Sequence, residues 1–275
     1  LLYIVPTPIG NLKDITYRAV EVLSNCDYIL CEDTRRSAIL LNHYQIKKNL
    51  KSYHAFNENS QLSSIIRDLE NGKDIALISD GGTPGICDPG ATLIKTCREH
   101  NIPYTSLPGP CALTTAFSMW GEENVFFQFL GFMPRKEKEM YTFLFQLLQF
   151  QGASIFYESP QRILNTLSII DHLAPQRSLL VTREISKTFE EKIFGSPNEI
   201  IAILKNQSPK GEFVIIVGQD KDNLFSDLSV EQLLELLQKT FKLPLSDAIK
   251  TAAHIRKEPK QSIYKVIHQH PDENS

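Results

Sequence analysis

The chain has 275 residues, 42% of them hydrophobic and 22% charged, with a formal net charge of −3; that is enough sequence for two sizeable cores in an ordinary globular composition. The net acidity excludes a surface coated in basic residues, so any nucleic-acid contact has to come from local patches, and RNA stays open. Five cysteines without CxxC spacing, the lack of any membrane-length apolar run and a strand-like start at Leu1 disfavour a disulfide framework, a zinc site, a membrane span and a basic leader, which predicts a reducing cytoplasm.

Leu1 to Val5 is apolar and β-favouring and runs into the proline-dense loop Pro6-Thr7-Pro8-Ile9-Gly10-Asn11. A helix capped by Asp14 or Thr16 follows, with Ala19, Val20 and Leu23 on one face. Tyr28 to Cys31 is a second short strand, and Glu32-Asp33-Thr34-Arg35-Arg36 stands at its carboxyl end. That cluster reads as a helix start, since Asp and Thr cap well; two adjacent arginines in a first helical turn oppose the dipole, and an anionic ligand is the other explanation. Helix is expected over 39–44 and 63–70, and strand over 50–53.

Ile75-Ala76-Leu77-Ile78 is a buried strand that delivers Ser79-Asp80-Gly81-Gly82-Thr83-Pro84-Gly85-Ile86-Cys87-Asp88-Pro89-Gly90. Open α/β sheets bind ligands at the carboxyl ends of their strands, and glycines permit close backbone approach there. The plain alternative is a tight turn that needs glycine for its geometry alone. After a helix over 93–100, the strand 103–107 delivers Pro108-Gly109-Pro110-Cys111-Ala112. Strand, loop and helix alternate here in the manner of a doubly wound parallel sheet, which puts the loops at 6–11, 32–36, 79–90 and 108–112 on one edge.

The texture changes near Trp120. Strands are expected over 126–132, 154–157, 179–182, 192–195 and 213–218, with helices over 141–150 and from Glu158 to Ile170, as a second α/β domain with a mixed sheet. Residues 220–226 read as a linker. Beyond it Ser229 can cap a helix bearing Leu233, Leu234, Leu236 and Leu237, Ser246-Asp247 can open a second, and a third would hold Ile263, Val266 and Ile267. Lys250, Arg256, Lys257, Lys260 and Lys265 outnumber Glu258 there, which reads as a solvated helix face, a dimer contact or an RNA-docking patch. The domains are therefore expected at 1–116, 117–220 and 227–270.

No GxGxxG follows the first strand, and GxxxxGK[ST], HExxH and GxSxG are all missing, which disfavours dinucleotide, ATP, metalloprotease and serine-hydrolase chemistry. What remains is a set of backbone-rich loops with acids and arginines, suited to holding a polar cofactor and positioning a second substrate for group transfer.

At these residues the chain resembles a known family. Val5-Pro6-Thr7-Pro8-Ile9-Gly10-Asn11-Leu12 with Asp14-Ile15-Thr16, Glu32-Asp33-Thr34-Arg35, the 79–90 loop, Pro108-Gly109-Pro110, Gly131-Phe132-Met133-Pro134-Arg135-Lys136, Tyr157-Glu158-Ser159-Pro160, Arg183-Glu184 and Lys210-Gly211-Glu212 are similar to the ribosomal RNA small subunit methyltransferase I family of the tetrapyrrole methylase superfamily. It departs in four places: SDGGTP at 79–84 stands for SDAGTP, with Gly81 the variable small residue; Cys111 replaces a serine; Gln161 replaces a histidine; and 54–60 matches loosely. The resemblance implies class III methyltransferase architecture, two α/β domains with S-adenosylmethionine in the cleft between them, usually as a homodimer.

It also implies methylation of a cytidine ribose 2′-hydroxyl in the decoding region of small-subunit ribosomal RNA, with no DNA or metal involved. Pro8, Ser79, Asp80, Gly81, Gly82, Thr83, Ile86, Cys111, Ala112, Tyr157, Glu158, Glu184 and Gly211 are the implied cofactor contacts. Asp33 or Glu32 would act as base and Arg35 would hold a phosphate, unless the three only pair with one another. Arg36, Arg135, Lys136, Arg256, Lys257 and Lys260 are the expected RNA contacts. A small-molecule methyltransferase acting on a tetrapyrrole and a catalytically silent RNA-binding protein are the alternatives.

Overall fold

The computed structural model describes residues 1–123, 125–207, 210–219, 225 and 228–269. The chain folds as two compact units: 1–119 with 183–191, and 120–182 with 192–275.

In the first unit β1 (Leu2–Ile4), β2 (Tyr28–Cys31), β3 (Leu50–Ser52), β4 (Ile75–Leu77) and β5 (Tyr104–Ser106) form one sheet in the order β3-β2-β4-β1-β5. Every pairing in it is parallel, with Leu2 opposite both Ile75 and Tyr104. The helices between them are α1 (Tyr17–Asn25), α2 (Thr34–His43), α3 (Glu58–Glu70), α4 (Ala91–Glu99) and α5 (Ala112–Ser118). Alternation along the strands feeds two cores, as expected of a sheet covered on both faces. Leu2, Tyr28, Leu30, Ile75 and Leu77 pack with Ile65, Leu69, Leu93 and Cys97 of α3 and α4. Val5, Ile29, Cys31, Ala76 and Ile78 pack with Ala19, Leu23 and Leu41 of α1 and α2. Because every strand runs the same way, the loops after β1, β2, β4 and β5 share the carboxyl edge.

The helix starts follow local chemistry. The Thr16 hydroxyl accepts from Ala19 N and caps α1. Helix α3 begins at Glu58, earlier than the expected Ser63: Asn57 accepts from His54 N and donates to the Ser52 carbonyl, closing the turn that launches the helix.

The second unit holds β6 (Phe127–Phe132), β7 (Ala153–Glu158), β8 (Leu179–Arg183), β9 (Glu191–Gly195) and β10 (Phe213–Val217) in the order β6-β7-β10-β8-β9. The sheet is mixed, with β6 parallel and β10 antiparallel to β7. Its helices are α6 (Glu137–Gln149), α7 (Ile163–Leu173), α8 (Pro197–Lys205), α9 (Val230–Glu235), α10 (Leu245–Arg256) and α11 (Lys260–Gln269). Helix α9 runs on into a π-helical turn, Leu236–Thr240.

Four features differ from expectation. Helix α6 opens at Glu137 rather than 141, taking charged residues into its first turn, where Glu137 and Glu139 suit the dipole. Glu158 ends strand β7, and α7 opens only at Ile163. Helix α8 went unread, although its capping box is complete: Ser196 accepts from Glu199 N, Glu199 reaches back to Ser196 N, and Pro197 takes the first position. Last, the C-terminal helices form no separate module, since Leu233, Leu237, Phe241, Ala252 and Ile263 share one core with Phe156, Leu167, Val181 and Ile215. The expected linker residues 220–224 and 226, and the side chain of Ile267, lie outside the described residues.

Candidate functional site

The loops after β1, β4 and β5 are tied into one platform. Thr7 and Gly82 exchange backbone hydrogen bonds of 2.9 and 2.8 Å. The Thr7 hydroxyl donates to the Ser79 carbonyl at 3.0 Å, the Ser79 hydroxyl to the Gly82 carbonyl at 3.1 Å, and the Thr83 hydroxyl to the Pro110 carbonyl at 3.0 Å. The hydroxyl protons of Ser79 and Thr83 are thus spent on the loop itself, and any ligand contact from them has to use backbone or a lone pair.

The glycines divide into two kinds. Gly82 is buried at φ +94°, a conformation a side chain would strain, so the plain turn reading explains it. Gly81 is exposed, and a Cβ there would lie 3.3 Å from the Pro8 carbonyl. Its open face, with Gly85 and the exposed Ile86 beside it, is where backbone can approach a ligand. Gly109 presses against Pro6, 2.7 Å from an added Cβ, which brings Cys111 and Ala112 to the same edge. Cys111 is buried and gives no side-chain cap to α5.

At the end of β2, both alternatives for the acidic cluster are visible in one arrangement. Asp33 caps α2 by accepting from Arg35 N at 2.9 Å, and also takes Arg35 Nε at 3.1 Å and Nη2 at 2.7 Å. The Arg35 guanidinium holds the Asp33 carboxyl well below the usual carboxylate range, so Asp33 is a weak base. Arg36 Nη1 donates to Asp80 Oδ2 at 2.9 Å, and Asp33 N to Asp80 Oδ1 at 3.2 Å. Asp80 thereby joins the β2 and β4 loops. Glu32 is the acid of the pair that Arg35 does not hold.

Residues 183–191 also belong to the first unit, carrying Glu184 with them. The reason is Gly10, where an added Cβ would sit 2.9 Å from the Ile185 carbonyl and collide with Lys187 Cγ. Ser186 donates to Asp14, and Lys187 Nζ bonds Glu184 Oε1 at 2.8 Å. Glu184 and Ser186 both adopt positive φ, 52° and 67°, the backbone cost of this turn.

Tyr157, Glu158 and Gly211 lie in the second unit. Tyr157 is half-buried, with Phe129 and Phe132 edge-on at 5.0 and 5.2 Å. Glu158 is 2% exposed, and its carboxylate accepts from Ser159 N at 2.6 Å and the Thr166 hydroxyl at 2.7 Å and pairs with Arg162 Nη2 at 2.6 Å. Arg162, which sequence reasoning passed over, also donates to the carbonyls of Met133 and Pro134, so it fixes the segment carrying Arg135 and Lys136. Gly211 has φ +92°. Arg135 is exposed, and Lys136 pairs with Glu139 at 3.1 Å. Arg256, Lys257 and Lys260 cluster at the turn from α10 to α11, where Lys257 is a left-handed cap at φ 55°. No group of acids, histidines and cysteines suited to a metal occurs among the described residues.

A family model described as tetrapyrrole (corrin/porphyrin) methylases matches residues 1–201. Ribosomal RNA small subunit methyltransferase I of Hydrogenobaculum sp. is 47% identical over 222 residues, 80% of this chain and 96% of that protein. Its namesake from Escherichia coli O157:H7 is 42% identical over 268 residues, 96% and 93% of the two chains. The Bacillus subtilis protein of that name is 38% identical over 277, 98% and 94%. Among solved structures, a cobalt precorrin-4 methyltransferase of cobalamin biosynthesis superposes with a TM-score of 0.59 at 14% identity, covering 79% of this chain and 94% of that one. A uroporphyrin-III-C-methyltransferase from Thermus thermophilus gives 0.55 at 16%, covering 81% and 94%. At those identities the likeness is one of fold.

Proposed function

The chain belongs to the tetrapyrrole methylases and, among them, to the ribosomal RNA small subunit methyltransferase I family, and on that premise we propose that it methylates a cytidine ribose 2′-hydroxyl in the decoding region of small-subunit ribosomal RNA. It is an S-adenosylmethionine-dependent methyltransferase. The observation that carries the finer reading is the division of the sheet edge. The loops of β4, β1 and β5 are laced together around the open backbone of Gly81, while β2 brings the charged residues Glu32, Asp33, Arg35 and Arg36 beside them.

The platform fits S-adenosylmethionine by backbone rather than by charge. Gly81, Gly82, Ile86, Cys111, Ala112 and Pro8 would line it, with Ser79 and Thr83 shaping the loop through their internal hydrogen bonds. Tyr157, Glu158, Glu184 and Gly211 are proposed contacts on the strength of the family pattern. When bound, the cofactor supplies a sulfonium-activated methyl group. The chain's own residues then have to align the ribose oxygen in line with that carbon, exclude water and accept the hydroxyl proton. We assign the proton to Glu32, because Asp33 is committed to Arg35. The Asp33–Arg35 pair holds the guanidinium with N–H groups to spare for a backbone phosphate.

The family's homodimer and a cytoplasmic location complete the proposal; no helix among the described residues is long and apolar enough to cross a membrane. Labelled methyl transfer tests the function. Purified small ribosomal subunits lacking the modification should accept one methyl per particle, and a porphyrinogen none. Labelling of the porphyrinogen alone would replace this reading with the small-molecule one, and cofactor binding without any transfer would fit a silent RNA-binding protein.

A further inference from the structure

Between the ends of β1 and β4 and helix α2 lies a cavity of about 140 Å³. Pro8, Leu12, Ile39, Leu40 and Ile78 supply apolar walls, and Asp80 and Arg36 supply its charged groups. It is well below the roughly 300 Å³ of a site for a whole drug-sized ligand, and of a size for one flat ring. We propose that this cavity receives the base of the target nucleoside and reads it as cytosine, a role that rests on the cytidine assignment above.

Donors and acceptors decide which base fits. Arg36 spends a single N–H on Asp80 Oδ2, and a guanidinium carries five in a planar fork. Asp80 accepts one hydrogen bond on each oxygen, from Asp33 N and from Arg36, and an ionised carboxylate has about four acceptor positions, so each oxygen keeps one. Side by side the pair offers an acceptor and two donors. The Watson–Crick edge of cytosine offers the complement: the N4 amino group donates, and N3 and O2 accept. Uracil sets its O4 acceptor against the carboxylate and its N3–H against the guanidinium, two conflicts at once. Enzymes that act on one nucleotide commonly read an unstacked base by that edge between apolar walls. Asp80 sits in the loop that also forms the cofactor platform, so a base held here would bring its own ribose to that platform.

The test compares small ribosomal subunits carrying cytidine or uridine at the methylated position. The wild-type protein should use uridine on the order of 10- to 100-fold less well in kcat/KM. Arg36→Lys, which keeps the charge but removes the planar fork of donors, should lower transfer to cytidine and narrow the cytidine-to-uridine ratio by about 10-fold, with S-adenosylmethionine affinity by calorimetry unchanged. Ile39→Trp, at a position 65% exposed where bulk threatens the fold little, should fill the cavity and depress both substrates with the same unchanged cofactor affinity. An Arg36→Lys protein that loses both substrates equally, or loses cofactor binding in proportion, overturns the base-reading role while leaving the methyltransferase reading intact. A wild-type protein that transfers no methyl to cytidine in the subunit removes the reading beneath, and this inference with it.

Discussion

Gly81 and Gly82 are neighbours of one residue type with different reasons for it. A valine at 82 has to hold φ +94° and would press on Ile9 Cγ2 at 3.4 Å, so it should loosen the Thr7 bridge and cost stability, on the order of 1–3 kcal/mol, as well as cofactor affinity. A side chain at 81 keeps ordinary φ, although its Cβ presses on the Pro8 carbonyl at 3.3 Å, and its further atoms enter the exposed space a ligand would use. We expect Gly81→Ala, which already carries the Cβ pressing on Pro8, to bind S-adenosylmethionine nearly as well as the parent, and Gly81→Val to lose at least 10-fold by calorimetry at the same melting temperature as Gly81→Ala. Equal affinities across that series would take the loop out of the site. The same distinction applies to the acids. Glu32→Gln should lower kcat by about 10² or more, whereas Asp33→Asn, which releases Arg35, should act mainly on KM for RNA. An Asp33→Asn variant with the larger kcat loss would return the proton to Asp33.

The elements were legible where local chemistry and tertiary need agree. The strands β1, β2 and β4 could be read from short apolar runs ending in breakers, the more polar β3 and β5 from their place between helix and loop, and the shared loop edge followed from the alternation. Helix α8 shows the opposite failure, since Ser196-Pro197-Asn198-Glu199 carries the start signal but follows a strand with too few polar residues between to announce a loop. The start of α7 was misplaced because Glu158 resembles a helix-opening acid, while in three dimensions it is a buried acceptor for three donors. Its neutral isostere tests that: Glu158→Gln removes the charge facing Arg162 and should destabilise the protein by about 3 kcal/mol in denaturant unfolding. An unchanged midpoint would mean that the carboxylate is held for a ligand instead. In the first unit Asp68 accepts from Lys73 at 2.6 Å and Tyr28 at 2.9 Å, with Lys51 at 3.6 Å, and Lys73 above all holds its pKa down. A depressed carboxyl contributes stability that is complete above its unfolded pKa near 3.9 and disappears as pH falls through the folded value. Asp68→Asn should therefore lose stability at pH 7 and show a flatter decline below about pH 4; an identical acid limb in the variant would assign that limb to other groups.

At the scale of the molecule, the family and the two-unit architecture were legible because motifs lie along nearly the whole sequence. The exchange of 183–191 into the first unit was not, because it depends on Gly10 leaving room for Ile185 and Lys187, a contact between residues far apart in sequence. Nor could the sequence say that the C-terminal helices would pack into the second core, since their apolar faces suit a free-standing bundle equally well. That packing leaves Lys257 and Lys260 exposed and Arg256 half-buried on a fixed turn rather than on a tethered module. Replacing the three by glutamine should weaken RNA binding and reduce the slope of log affinity against log salt by about 2–3, with cofactor affinity unchanged; an unaltered slope would place the phosphate contacts elsewhere. The position that receives the methyl group decides the function. After reaction with labelled S-adenosylmethionine, digestion of the small-subunit RNA to nucleosides should yield the label as 2′-O-methylcytidine from a single decoding-region position. Label recovered on a base, on another nucleoside or scattered along the RNA would contradict it.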